Sequence, residues 1–152
     1  MRQWKEPWPG RNSRGRSFWW RQERLPGRWQ RLLTKRSSDG IVITKYGHVK
    51  GPIGHFRLFE AGHPVPDENG FRATEEALQL VSGLTEGDTV LFLLSGGGSA
   101  LFEVPLIPGA QLQDITNQLL ACGAEITETN TIRKRSHRVR VEGQCKRLPP
   151  RW

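Results

Sequence analysis

The sequence predicts an α/β fold in which helices flank a partial parallel sheet. Two observations support this. Short β-branched or aliphatic runs alternate with helical patterns through residues 40–134. Each of these runs also ends in glycine or polar residues, as strands do where they leave a sheet. Because strands that alternate with helices usually pair in parallel, we expect a mainly parallel sheet.

The first half of this region predicts two strands and a helix. Residues 40–45 (G-I-V-I-T-K) form a run rich in β-branched residues, and residues 56–60 form a second short strand. A proline-rich loop follows at 62–67, and Asp67 can then cap a helix over 68–82 that Gly83 ends. We therefore expect the pattern β-β-α here.

The second half predicts one more strand, one clear helix and the start of another. The apolar run at 89–94 is typical of a buried strand, and we expect it to be a neighbour or near-neighbour of the 41–45 strand in a parallel sheet. Residues 111–122 have a helical apolar stripe, and 130–134 resemble the start of a further helix. The stripe consists of Leu112, Ile115, Leu119 and Cys122.

The positive charge of the chain is confined to its two ends. Of the net +8, residues 1–38 carry eleven Lys/Arg against two acids, and residues 135–152 carry six against one. Residues 39–134 carry six against twelve, so the central segment is acidic. The first 38 residues also hold five of the six Trp but few aliphatic residues, so we expect residues 1–35 to be disordered.

Several protein classes do not fit this composition. The longest aliphatic run, 90–94, is too short to span a membrane, and the start of the chain lacks the apolar segment of a signal peptide. Two widely separated cysteines fit no metal spacing and favour a reducing compartment. We therefore expect a cytoplasmic protein without a membrane partner or a resident metal site.

A glycine loop directly after the 89–94 run is the leading candidate for a binding site. It consists of Ser95, Gly96, Gly97, Gly98 and Ser99. Bare backbone N–H groups and serine hydroxyls at the end of a strand can cradle phosphate or carboxylate oxygens. The alternative is a plain flexible turn. The loop is not a Walker motif, because no Lys-Ser or Lys-Thr follows it.

Further polar residues lie in loops predicted to meet at one edge of the sheet. The candidates for a substrate or anion clamp are Lys45, His63, Asn130, Arg133 and Lys134. A surface lysine, a loop-stabilising histidine and a charged helix face remain the alternatives for these residues. Glu60 and Asp67 could be acid–base groups or metal ligands, although capping a helix would explain Asp67 completely. The catalytic residue stays unassigned.

Four strings together resemble the glycerate 2-kinase family, whose long chains carry a MOFRL-associated N-terminal domain and whose members include some labelled hydroxypyruvate reductase. They are G-I-V-I-T-K-Y-G-H, E-A-G-H-P-V-P-D-E-N-G, L-L-S-G-G-G-S-A-L and N-T-I-R-K, all within residues 39–134. The resemblance implies a partial Rossmann-like kinase domain. It also implies phosphorylation of D-glycerate to 2-phosphoglycerate with ATP and Mg²⁺, and it makes the glycine loop the phosphate-binding loop.

The chain departs from that family at both ends. Where the family carries a strand, a G-K-A-A loop and a helix, this chain has residues 17–38, which lack that pattern. Codons shifted by one base would permit the family pattern there and after Lys134. We therefore interpret residues 1–38 and 135–152 as frameshifted translation around a kinase fragment that lacks the second domain and is inactive alone.

Two other functions compete with this interpretation. The basic, Trp-containing ends could bind nucleic acid through phosphate contacts and stacking, although they show no motif. A hydroxypyruvate reductase would follow the family's other label, but no G-x-G-x-x-G fingerprint follows a strand to hold a nicotinamide cofactor. The kinase interpretation therefore ranks first.

Overall fold

The computed structural model describes residues 39–93 and 98–140. The expectations for residues 1–38, for Ser95, Gly96 and Gly97, and for residues 141–152 lie outside this part. The described elements, in chain order, are β1 (Ile41–Lys45), β2 (Arg57–Ala61), α1 (Glu68–Ser82), a 3₁₀ turn (Gly98–Ala100), β3 (Glu103–Pro105), α2 (Gly109–Ala121), α3 (Ile126–Arg135) and β4 (His137–Arg140).

β1 and β2 form a parallel pair, in register from Ile41 opposite Arg57 to Lys45 opposite Ala61. Both strands therefore end at the same edge. α1 packs on one face of the pair, and the shared core is formed by Ile41, Ile43, Ala61, Ala73, Ala77, Leu101 and Phe102. The strands and α1 confirm the prediction from the sequence, with β2 displaced by one residue.

The capping of α1 also follows the prediction. The Asp67 carboxylate accepts a hydrogen bond from the Gly70 N–H at 3.0 Å, which satisfies a donor that the helix itself leaves without a partner. Farther along, the buried Thr74 hydroxyl donates to the Gly70 carbonyl at 2.8 Å. A polar residue can therefore lie in the buried face of α1 without an unsatisfied group.

β3 and β4 form a second, antiparallel pair, with Val104 opposite Val139 and a bulge at Pro105. The sequence did not predict either strand. α3 precedes β4 directly and packs on it and on α2. Within α2, Leu112 is buried as expected, but Cys122 just beyond its end is exposed, so its place in the apolar stripe was wrong. Thr116 is buried instead, and its hydroxyl is satisfied there because it donates a hydrogen bond to the Leu112 carbonyl.

The predicted strand at 89–94 is the main correction. Residues 88–93 have no strand geometry, and Val90 is 38% exposed. Phe92 nevertheless packs edge to face on Phe102, with ring centroids 5.3 Å apart. An apolar run indicates burial, but a strand also needs a neighbour to complete its hydrogen bonds, and no described strand pairs with residues 88–93. The expectation that the 89–94 run is a strand, neighbour or near-neighbour to 41–45 in a parallel sheet, is therefore wrong for residues 89–93.

Candidate functional site

The carboxyl ends of β1 and β2 meet at one edge of the parallel pair. Lys45 ends β1 opposite Ala61, which ends β2. The loops that follow are residues 46–49 and 62–67, so Lys45 and His63 lie on adjoining segments. In open α/β sheets ligands bind outside the carboxyl ends of strands, which makes this edge the candidate site.

The Tyr46 side chain joins the two loops. Its hydroxyl donates to the Asp67 carboxylate (Tyr46 Oη to Asp67 Oδ2, 2.5 Å) and accepts from the Asn69 amide (Nδ2, 2.8 Å). The hydrogen bond to Asp67 is the largest cause that raises the pKa of Tyr46 above 10.0. The tyrosine therefore stays protonated at neutral pH, as its donor role requires.

Glu60 holds the other end of the 46–49 loop. Its Oε1 accepts from the Val49 N–H at 2.8 Å. That bond is the largest cause that lowers the pKa of Glu60 below 4.5, and the N–H groups of Gly47 and His48 act in the same direction. Gly47 has φ +77°, a backbone conformation that side chains disfavour, and this lets the turn bring its N–H groups together. Glu60 is thus occupied as an acceptor for backbone donors.

Gly62 allows the second loop to fold tightly. A Cβ at this position would lie 2.4 Å from the Val65 carbonyl oxygen and 3.2 Å from Oδ2 of Asp67. The peptide between His63 and Pro64 is cis, and His63 is half-buried. Because a Cβ at residue 62 would be too close to the Val65 carbonyl oxygen, a glycine is required where the chain turns from β2 toward α1.

Lys45 carries a charge that the described residues leave without an ion pair. It is half-buried, and the ion pairs formed within residues 39–93 and 98–140 involve other cations. A partly desolvated ammonium without a carboxylate is stabilised by an anion from outside. Lys45 is therefore the strongest candidate on this edge for contact with an anionic ligand.

The segment that follows the glycine loop lies against the first turn of α1. Gly98 begins the 3₁₀ turn, and Leu101 N–H donates to the Gly98 carbonyl at 3.0 Å. A Cβ on Gly70 would lie 3.3 Å from Ala61 Cβ and 3.7 Å from the Leu101 carbonyl oxygen. The chain leaving the glycine loop therefore passes close to the end of β2. Ser99 is half-buried, and the phosphate cradle itself stays a prediction.

The structure places the remaining candidates on α3. Arg133 is buried, and its Nη2 pairs with Oε1 of Glu103 on β3. His137 faces the other carboxylate oxygen through Nε2 and contacts the Arg133 carbonyl through Nδ1. Asn130 is half-buried and Lys134 is exposed. The Arg133 guanidinium thus joins α3 to Glu103 on β3, and its role as a clamp for ligand stays a prediction.

The chain matches a known protein family over most of its length. The family model described as "Domain of unknown function (DUF4147)" matches residues 23–144. The chain belongs to the DUF4147 family. This range contains the predicted 39–134 domain, whose boundaries stay a prediction.

The DUF4147 chain has relatives named as kinases. It is 54% identical over 114 residues to the D-glycerate 2-kinase of Thermotoga maritima, covering 74% of this chain and 27% of that protein. It is 45% identical over 105 residues to the glycerate 2-kinase of Pyrococcus horikoshii, covering 67% and 23%. A putative hydroxypyruvate reductase of Agrobacterium vitis is 44% identical over 98 residues, covering 63% of this chain and 22% of that protein. The resemblance to glycerate 2-kinase is confirmed, and the chain spans about a quarter of these relatives' length.

Solved structures confirm the α/β fold of the DUF4147 chain. The crystal structure of glycerate kinase from Thermotoga maritima matches with a TM-score of 0.71 and 46% identity, over 85% of this chain and 32% of that one. A Pyrococcus horikoshii protein matches with a TM-score of 0.68 and 37% identity, over 84% and 30%.

The carboxylates of this DUF4147 chain are the candidate ligands for a divalent metal. No group of three or more His, Cys, Asp or Glu within the described ranges could hold one. Asp67 and Glu60 already accept hydrogen bonds from Tyr46, Gly70 and Val49. Mg²⁺ can also be held by one or two carboxylates together with substrate phosphates, and a carboxylate oxygen that accepts one hydrogen bond keeps a second lone pair. No helix in the described part of the chain is long and apolar enough to cross a membrane.

Proposed function

We propose that the β1–β2 edge binds the anionic substrate of a D-glycerate 2-kinase, in which ATP phosphorylates D-glycerate to 2-phosphoglycerate. The observation that carries the proposal is Lys45, a half-buried cation without an ion pair among the described residues. It lies at the sheet edge where ligands bind, in a chain 54% identical to a D-glycerate 2-kinase.

Catalysis of phosphoryl transfer consists mainly of positioning and of neutralising negative charge. Lys45 would supply a positive charge to a carboxylate or phosphate at the edge, as a point charge on a flexible stem. His63, on the adjoining loop, would contribute a hydrogen bond to the same ligand. ATP would supply the phosphoryl group, held by the predicted cradle of Ser95, Gly96, Gly97, Gly98 and Ser99.

We expect the 152-residue polypeptide to bind anions without turning over glycerate. It spans about a quarter of the length of its kinase relatives. Arg133, one of the proposed clamps, is engaged by Glu103. Because each oriented charge lost from such a site typically reduces the rate about a hundredfold or more, several missing groups would abolish turnover.

The first experiment measures binding of inorganic phosphate and of D-glycerate to the purified chain by NMR titration. We expect the dissociation constants for inorganic phosphate and for D-glycerate to be about 1 mM. Lys45→Met should weaken both by about tenfold, the cost of ~1.4 kcal/mol for one charge-assisted contact. Arg57→Met is the matched control, because it removes an exposed cation from the amino-terminal end of β2, at the opposite end of the strand pair from Lys45. Binding that is unchanged in Lys45→Met would exclude this edge as the site.

The second experiment tests the reaction. D-glycerate, ATP and Mg²⁺ are supplied to the purified chain, and 2-phosphoglycerate is measured. We expect none above background, and robust formation would refute the expectation of inactivity. Reduction of hydroxypyruvate with a nicotinamide cofactor, assayed in parallel, would favour the reductase named among the relatives. Gly97→Val should weaken nucleotide binding if the glycine loop is a cradle, because a Cβ would obstruct its N–H groups.

A further inference from the structure

We propose that Tyr46, Asp67 and Asn69 form a hydrogen-bonded clasp that positions Lys45 for anion binding. This proposal rests on the proposed function of the β1–β2 edge. It assigns Tyr46 as a positioning residue that acts through its neighbour, with the other two residues holding its hydroxyl in place.

Tyr46 lies just beyond the end of β1. Strand pairing stops at Lys45 and Ala61, so residue 46 is the first beyond the ladder. The Tyr46 side chain is 53% exposed, so burial alone holds its ring only weakly. Its hydroxyl instead donates to Asp67 at 2.5 Å and accepts from Asn69 at 2.8 Å. These two bonds fix the residue that directly follows Lys45.

The clasp is attached to α1 through Asp67. The other oxygen of Asp67 accepts the Gly70 N–H, so this carboxylate is part of the first turn of α1. α1 is packed against both strands and is the most extensively buried helix of the described residues. The Tyr46 hydroxyl therefore links the loop after β1 to a rigid element, and a hydrogen bond to an ionised acceptor is stronger than one between neutral groups.

Glu60 holds the other end of the same loop. Glu60 accepts from the Val49 N–H at 2.8 Å, so the 46–49 loop is held at both of its ends. Lys45 precedes a loop with little freedom, which reduces the entropy lost when its ammonium meets an anion. Loss of the Tyr46 hydroxyl would release one end of the loop and leave the strand pairing intact.

The test uses Tyr46→Phe in the full chain, because phenylalanine keeps the ring and loses only the hydroxyl. We expect phosphate and D-glycerate to bind about fivefold more weakly, the loss that corresponds to one ordinary hydrogen bond. Thr85→Val is the matched control. It removes another exposed hydroxyl, which donates to Asp88 at 3.0 Å beyond the opposite end of α1, and it should leave the affinity unchanged.

Affinity is measured well below the melting transition, where a small loss of stability does not change the dissociation constant. Asp67→Asn tests the acceptor role of this carboxylate, because the single amide oxygen of asparagine can still cap the helix but its N–H₂ group then faces Tyr46 and can only donate to the hydroxyl, without a charge. Its affinity should lie between those of the unmodified chain and Tyr46→Phe. Hydrogen exchange at the amides of residues 46–49 should be faster in Tyr46→Phe.

The outcomes of these measurements separate the two proposals. If the unmodified chain binds the anions and Tyr46→Phe binds them equally well, the clasp has no positioning role, although the proposed function stands. Faster amide exchange with unchanged affinity would equally exclude the positioning role. If the unmodified chain binds neither anion, the proposed function fails and the positioning role fails with it.

Discussion

The two strand pairs in the described part of this DUF4147 chain differ in how their charged residues are paired. At the β3–β4 pair, Glu103, Arg133 and His137 are buried and face one another. At the β1–β2 edge, Lys45 is half-buried and has no ion pair among the described residues. The carboxylates near it, Glu60 and Asp67, instead accept hydrogen bonds from the adjoining loop. The sequence does not distinguish Arg133 from Lys45 as a candidate clamp, whereas the structure pairs Arg133 with Glu103 and leaves Lys45 without an ion pair among the described residues.

The largest expected effect tests the buried side of this comparison. Arg133→Ala should lower the free energy of unfolding by about 3–5 kcal/mol, because it leaves the Glu103 carboxylate buried without its main cation. Arg57→Ala is the control. It breaks an exposed ion pair with Glu76 (2.9 Å) and should cost at most about 1 kcal/mol. Urea denaturation measures both.

A second variant keeps this prediction testable if Arg133→Ala does not fold. The double replacement Glu103→Gln, Arg133→Met removes both charges, so it should recover part of the lost stability. Equal losses in the single and double variants would mean that the ion pair does not explain the burial of Arg133.

The next effect tests how closely the loops at the β1–β2 edge are packed. Gly62→Ala should cost about 1–3 kcal/mol, because the new Cβ would lie 2.4 Å from the Val65 carbonyl oxygen and force the loop to move. Gly87→Ala is the matched control, since its Cβ would meet no atom closer than 4.0 Å. Thermal unfolding of the two variants should differ clearly. Equal midpoints would contradict the tight fold of the 62–67 loop.

A smaller effect follows from the lowered pKa of Glu60. A carboxyl whose pKa is depressed on folding stabilises the protein above its ordinary value of 4.5, and this contribution is lost as the pH falls through the folded value. Glu60→Gln should therefore make the loss of stability below pH 4.5 shallower and reduce stability near neutral pH. Unfolding curves between pH 3 and pH 7 check this. An identical pH dependence in both proteins would rule out a role for the bond to Val49.

The smallest effect concerns Tyr46 at alkaline pH. A group whose pKa is raised on folding contributes stability below its ordinary value, here 10.0, and this contribution is lost as the pH rises through the folded value. The unmodified chain should lose stability above pH 10 more steeply than Tyr46→Phe does. Spectroscopic titration of the phenol measures the shift directly. A pKa at or below 10 would contradict the hydrogen bond to Asp67.

Local patterns in the sequence were sufficient for the first half of the domain. The β-branched run at 41–45, the cap at Asp67 and Gly83 just after the helix each act over a few residues, and the structure confirms β1, β2 and α1. The strings around Lys45 and Asp67 also placed the chain in its family, which comparison with known proteins confirmed. Short-range backbone preferences and motif order do not depend on contacts with distant residues.

The tertiary structure decided the remaining features. The apolar run at 89–94 predicted that Phe92 would be at least partly buried, as it is. The same pattern could not show that residues 88–93 have no strand partner among the described residues, or that β3 pairs with β4. The partner of Arg133 lies thirty residues away on β3, and Tyr46 reaches Asp67 across twenty-one residues. Strand pairing and side-chain partners are contacts between distant parts of the chain. The sequence by itself therefore determined the family and the local elements, whereas packing decided which strands pair and which of the described charges are neutralised.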